Sequence, residues 1–205
     1  MVTDVKDQGS CGSCYAFSAV EVIESMWLIS GKSETLMSPQ QIVDCTVAYN
    51  NDGCNGGWYF YAYDYLKTHK LMTEDSYPYM GKMTLCQYDK SDGVTRVRAY
   101  GEVVGGTTAN LIRLDSWGPL NVAVSAGNNA FMYYDSGIIT VDDECPTYVD
   151  HAVVAIGYGV ENGVQYYIVR NSWGSGWGED GYVRIQTSSG SGVCGINQAV
   201  YYAAI

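Results

Sequence analysis

The sequence predicts an α+β fold: one domain over residues 1–205 with a mainly helical lobe, about 1–105, and a strand-rich lobe, about 106–205. Three observations predict it. Residues 14–28 are good helix formers with apolar side chains on nearly every face, as in a helix enclosed by a core. Residues 120–125, 152–158, 165–170 and 181–186 read as strands, the first by clear alternation. The chain has 205 residues, enough for one large domain or two small lobes with ample core. A cleft between lobes is the expected ligand site. No internal repeat or low-complexity tract stands out.

The elements follow in order. The first helix opens at Cys14, and Gly31 supplies its stop. Ser38-Pro39-Gln40-Gln41 opens the second: Ser38 can cap, Pro39 suits the first helical position, and Gln41 can close a capping box. Tyr49-Asn50-Asn51-Asp52-Gly53 reads as a turn, followed by Cys54-Asn55-Gly56-Gly57, whose glycines permit a tight bend or the close approach of another chain. On the residues alone the bend is favoured. Residues 58–67 form a third helix, with Trp58, Ala62, Tyr65 and Leu66 at helical spacing. Tyr77-Pro78-Tyr79 marks an extended crossing. Glu161-Asn162-Gly163 provides hairpin turn chemistry between two of the strands.

Composition narrows the function. With 47% hydrophobic and 16% charged residues the chain reads as folded and soluble, and no apolar run approaches the about 18 residues a membrane span requires. A net charge of −11 disfavours binding to phosphate backbones, so neither nucleic acid nor membrane is an expected partner. Seven cysteines suggest an oxidising compartment. No signal peptide precedes Val2 and there is no Asn-x-Ser/Thr sequon, so Met1 is expected to begin a fragment.

The cysteines also carry the chemistry. Cys14 would sit in the first helical turn, where N–H groups and the helix dipole favour a thiolate, the nucleophilic form of cysteine. A small buried hydrophobe or half of a disulfide is the plainer reading, but an odd number of cysteines leaves one unpaired. Cys11 and Cys14 at C-x-x-C spacing also suit zinc or a redox pair, yet no second close pair exists and the preceding stretch, 5–10, is polar rather than a hydrophobic strand. A nucleophile needs a base. Of the two histidines, His69 lies between polar residues at a helix end and reads as surface, whereas His151 enters an apolar strand 137 residues after Cys14. Asn171, in Arg170-Asn171-Ser172-Trp173-Gly174, can orient the imidazole, and Gln8 can donate to an oxyanion. Taken singly, His151 would be a core histidine, Asn171 a turn residue and Gln8 a solvated loop glutamine.

Together, Cys11-Gly12-Ser13-Cys14-Tyr15, Val149-Asp150-His151-Ala152-Val153, Asn171-Ser172-Trp173-Gly174 and Gly176-Trp177-Gly178 resemble the papain family of cysteine peptidases, cathepsin L-like members included, over essentially the whole chain. The resemblance implies a papain-like two-lobed fold, helical at the N-terminal side and β-barrel-like at the C-terminal side, with the active-site cleft between the lobes. It implies a cysteine endopeptidase acting through a thioester, with Cys14 as nucleophile, His151 as acid and base, Asn171 as orienter, Gln8 as oxyanion donor and Trp173 as a shield over the Asn–His bond. Gly56 and Gly57 would line the substrate backbone. Trp58, Tyr59, Ala123, Val149, Ala152 and Ala199 would form the selecting pocket, giving a preference for an apolar residue at the second position before the scissile bond. Asp150, Trp173 and Trp177 complete the implied substrate-binding set. The implied disulfides are Cys11–Cys54, Cys45–Cys86 and Cys145–Cys194. No metal or cofactor is implied. The implied partners are protein or peptide substrates, an inhibitory propeptide and cystatin-type inhibitors, with a monomer in a secreted or lysosome-like, vacuolar setting. Tyr15 stands where tryptophan is commoner, Trp58 is bulky for its place, and family mature chains start about a dozen residues earlier with an Asp-Trp-Arg-like stretch.

Overall fold

The first helix forms where the apolar run predicts it. In the computed structural model, which describes residues 1–205, α1 (Cys14–Ile29) keeps every side chain from Tyr15 to Ser25 buried. Burial on all faces includes Glu24, which is tolerated because its carboxylate accepts from Thr3 Oγ1 at 2.6 Å and Met37 N at 2.7 Å. Gly31 ends the helix at φ +80°, its N–H bonded to Leu28 O at 3.0 Å.

The chain divides into two compact units: Met1–Asp4, Gln8–Gly101 and Ala203–Ile205 form the first, Val5–Asp7 and Glu102–Tyr202 the second. In the first unit α2 (Pro39–Cys45) starts at Ser38, whose Oγ accepts from Gln41 N at 3.0 Å and donates to Tyr77 O at 2.6 Å. The reciprocal half of the expected capping box is absent. Ser38 N already donates to Met72 O at 3.0 Å, and the buried Gln41 side chain bonds instead to Tyr65 Oη, Lys70 O and Met72 N. Asp44 then ties the 77–85 crossing to α2, accepting from Gln40, Tyr77 and Thr84 side chains and from Thr84 N. α3 (Tyr59–Leu66) is one residue shorter at each end than expected, because Trp58 is extended at the cap position and gives its N–H to Asn51 Oδ1 at 2.7 Å. Short strands β1 (Leu71–Met72) and β2 (Gly93–Thr95) pair antiparallel, and Cys11–Cys54 and Cys45–Cys86 are bonded. Strand β3 (Ala99–Glu102) runs across the division between units.

The second unit is built on a sheet. After α4 (Gly106–Ser116) come β4 (Leu120–Val124), α5 (Asn129–Met132), β5 (Ile138–Ile139), β6 (His151–Glu161), β7 (Val164–Arg170), β8 (Tyr182–Gln186) and β9 (Val200–Ala204), in the sheet order β3-β9-β4-β6-β7-β8-β5. All neighbours whose register is defined are antiparallel except β5 with β8. The β6–β7 hairpin turns at Asn162 (φ +51°) and Gly163 (φ +82°), both left-handed as the turn requires. Leu120, Val122 and Val124 face the core with Val153, Val169, Val183, Ile185 and Phe131, and Cys145–Cys194 closes its edge. No helix is long and apolar enough to cross a membrane.

Candidate active site

In the first unit Cys14 is the first residue of α1 and carries no disulfide. The Ser13 side chain makes no cap bond and no acidic residue stands in the first turn, so nothing within the helix offsets its N-terminal partial charge beside the sulfur. The preceding loop is fixed by the Cys11–Cys54 disulfide and by Gly12 N donating to Cys54 O at 2.9 Å. Gly12 is required there: a Cβ would stand 2.5 Å from Cys54 O. Gln8 is 7% exposed and donates from Nε2 to Cys11 O at 3.0 Å, which aims its amide along the loop that leads to Cys14. Tyr15 is fully buried with its hydroxyl on Gly53 O at 2.9 Å; burial first, then charge at Cys14, raises its phenol well above the usual range.

Gly56 adopts φ +116°, a conformation open in practice only to glycine. A Cβ on Gly57 would collide with the Asn51 side chain, so internal packing already demands glycine there. Trp58 is half-buried and stacks on Phe60 at 5.3 Å. Tyr59 has no exposed surface, its ring lying in the core of this unit.

In the second unit His151 opens β6 and Asn171 follows β7. His151 Nε2 lies 2.7 Å from Asn171 Oδ1, and Ser172 N donates to the same oxygen at 2.8 Å. A backbone N–H can only donate, so the accepting amide atom is oxygen and Nε2 must carry the hydrogen. The neutral ring therefore presents its lone pair at Nδ1. His151 is 7% exposed and Asn171 fully buried, with Asn171 N on Gly181 O at 3.0 Å. Trp173 covers the imidazole at 4.8 Å between centroids, Phe131 meets both rings edge-on, and Trp177 stacks on Phe131 at 5.1 Å. In such apolar surroundings the hydrogen bond is worth more than in water. Phe131 escaped the sequence reading; the only local signal was Asn128, whose Oδ1 caps Phe131 N at 3.1 Å.

Asp150 turns its carboxylate to Ala126 N and Gly127 N at 2.7 and 3.1 Å, bracing the loop after β4. Ala123 and Ala152 are direct partners across β4 and β6, on the sheet face opposite Val122 and Val153. The β4–β9 register, extended one rung, sets Ala199 beside Ala123, while Val149 lies next to Gly195. Three of the expected pocket residues, Ala123, Ala152 and Ala199, are thus neighbours on one face of this unit.

Papain family cysteine protease is the description of the sequence family whose profile matches residues 1–204. The chain belongs to the papain family. Among papain-like relatives it is 44% identical over 196 residues to a cathepsin L-like proteinase of Fasciola hepatica, covering 95% of this chain and 60% of that protein. It is 44% identical over 200 residues to a low-temperature-induced cysteine proteinase of Solanum lycopersicum, covering 96% and 57%. The chain thus spans about three fifths of the length of these relatives. Among solved structures, digestive procathepsin L 3 of Tenebrio molitor larval midgut superposes with TM-score 0.92 at 37% identity, over all of this chain and 67% of that one. The bromelain protease from Ananas comosus, in complex with the E64 inhibitor, gives 0.90 at 36%, over all of this chain and 94% of that one. The papain-like α+β fold is therefore established for this sequence.

Proposed function

We propose that the chain is a cysteine endopeptidase in which Cys14 and His151 work as a thiolate–imidazolium pair. The observation that carries this reading is the His151–Asn171 bond at 2.7 Å beneath Trp173, which leaves Nδ1 as the nitrogen for proton transfer. A cysteine outside the disulfides, at an uncapped helix start, supplies the matching nucleophile. Cys14 Sγ attacks the peptide carbonyl, and negative charge develops on oxygen toward the Gln8 amide and the Cys14 N–H. His151 gives its Nδ1 proton to the leaving amine, the C–N bond breaks and a thioester remains. Water, deprotonated by His151, then attacks the thioester, the C–S bond breaks to release the acid, and the thiolate–imidazolium pair is restored.

The small apolar side chains of Ala123, Ala152, Ala199 and Val149, with no carboxylate among them, support a preference for Leu, Val, Phe or Tyr over Arg at the second residue before the scissile bond. Both histidines are accounted for, His69 being stacked on Tyr65 at 4.3 Å, which supports endopeptidase over a dipeptidase with added histidines. Three disulfides suit a secreted or lysosome-like compartment, and the procathepsin neighbour supports a propeptide as partner.

The test is hydrolysis of a fluorogenic peptide with Leu at the selecting position, in mild reductant at about pH 5–7. Turnover abolished by Cys14→Ala is the expected result. A folded protein that never cleaves it, or a variant that still does, overturns the assignment. Equal turnover of Leu and Arg peptides would refute the specificity alone.

A further inference from the structure

A serine stands at the cap position of α1 and does not cap. Serine is among the residue types most favoured there, yet the Ser13 side chain makes no hydrogen bond to the helix. Its hydroxyl lies instead 2.7 Å from the Tyr79 hydroxyl, a shorter contact than the 3.4 Å to Cys11 O. The Tyr79 hydroxyl is also 2.8 Å from Gln8 O. A carbonyl only accepts, so the Tyr79 hydrogen is committed to Gln8 and the hydrogen between the two hydroxyls comes from Ser13. The chain runs one way, from Ser13 Oγ–H to Tyr79 Oη–H to Gln8 O. Tyr79 is held in place by its N–H on Glu74 Oε1 at 2.9 Å and by its ring, edge-on to Phe17 of α1 at 4.8 Å.

We propose that Tyr79 is a positioning residue for the peptidase reaction: its hydroxyl anchors the backbone of Gln8 and holds Ser13 off the α1 N-terminus, reserving that end of the helix for the Cys14 sulfur. The proposal rests on the roles given above to Cys14 and Gln8. A capping hydroxyl would accept from a first-turn N–H and place negative partial charge where the thiolate forms, raising the pH at which the thiol ionises. Anchoring Gln8 O keeps its side-chain amide, on Cys11 O at 3.0 Å, from drifting with the loop. Placement of an oxyanion donor acts on the transition state and hence on kcat more than on KM.

The experiment compares the full chain with Tyr79→Phe, Ser13→Ala and the double variant, reading kcat, KM and the pH profile of kcat/KM on the Leu peptide. The rate of Cys14 alkylation by iodoacetamide against pH reports thiol ionisation independently of turnover. Phenylalanine keeps the ring against Phe17 and deletes only the relay. In Tyr79→Phe, kcat is expected to fall about tenfold at nearly constant KM. The acid limb is expected to move up by about half a pH unit. Adding Ser13→Ala should return the acid limb while the loss in kcat remains. Wild-type kcat and acid limb in Tyr79→Phe overturn the inference, as does a limb shift that survives removal of the Ser13 hydroxyl. Failure of the underlying reading would show in the wild-type protein itself, as no turnover, whereas failure of this inference shows only in the variants.

Discussion

At the scale of single residues, the second unit is most informative at Asn171 Oδ1, which receives hydrogens from both His151 Nε2 and Ser172 N. An aspartate there would keep both bonds and add a negative charge to a buried place. A nearby anion favours the imidazolium, so the His151 proton would leave at higher pH. The expected outcome for Asn171→Asp is a basic limb of kcat/KM moved up by about one pH unit, with kcat reduced. An unmoved basic limb in an active variant would mean that His151 is not the group titrating there. Gly57 is a different case. Its approach to Asn51 is set by the fold, because the Asn51 Oδ1 that a Cβ would strike also accepts Trp58 N at 2.7 Å. Gly57→Ala should therefore destabilise the protein by about 1–3 kcal/mol through the displaced amide, measured by urea unfolding without substrate. Wild-type stability would show that the Asn51 amide moves aside at no cost.

At the scale of elements, what could be read in advance was what local chemistry decides. Gly31 stops α1 and Asn162-Gly163 turns the β6–β7 hairpin because a left-handed residue is needed at each place and the sequence supplies one. His151 and Asn171 were legible as candidates because histidine is scarce here and the motifs around both are specific. α4 was missed for the converse reason: it starts at Gly105 and Gly106 with no capping side chain, and buries only Asn110 and Leu114. Long-range bonds were invisible too. The capping box at α2 failed because Met72, far along the chain, had taken the Ser38 N–H. Ser38 nevertheless remains the anchor of that helix, fully buried between Gln41 N and Tyr77 O. Ser38→Ala removes the cap and leaves a carbonyl without its donor, so a loss of about 1–2 kcal/mol is expected. The readout is the urea midpoint at unchanged slope; a midpoint within error of wild type would show that water replaces both bonds at no cost.

At the scale of the whole molecule, sequence order understates how the units are assembled. Val5–Asp7 belongs with the second unit, through Gly174 N on Lys6 O at 3.0 Å, and Ala203–Ile205 with the first, through Arg98 N on Ala204 O at 2.8 Å. Neither exchange has a local signal. A second global property is the burial of phenols in a chain with 19 tyrosines. Burial, the largest cause in each case, pushes Tyr65 and Tyr77 up to about 12, and raises Tyr134 and Tyr167 as well. An unfolded tyrosine ionises near about 10. Below that pH both states hold their phenolic protons and the folded state keeps its full advantage. Above it the unfolded chain releases protons that the folded chain retains, so stability falls as pH rises from 10 toward 12. The free energy of unfolding should be flat from about pH 8 to 9.5 and decline beyond, with tyrosinate absorbance appearing together with loss of structure. Tyr65→Phe removes one titrating group, so its decline should be shallower even though losing the Gln41 bond lowers its starting stability. Parallel declines in the two proteins would mean that Tyr65 ionises alike in both states, and that its burial does not govern the alkaline limit.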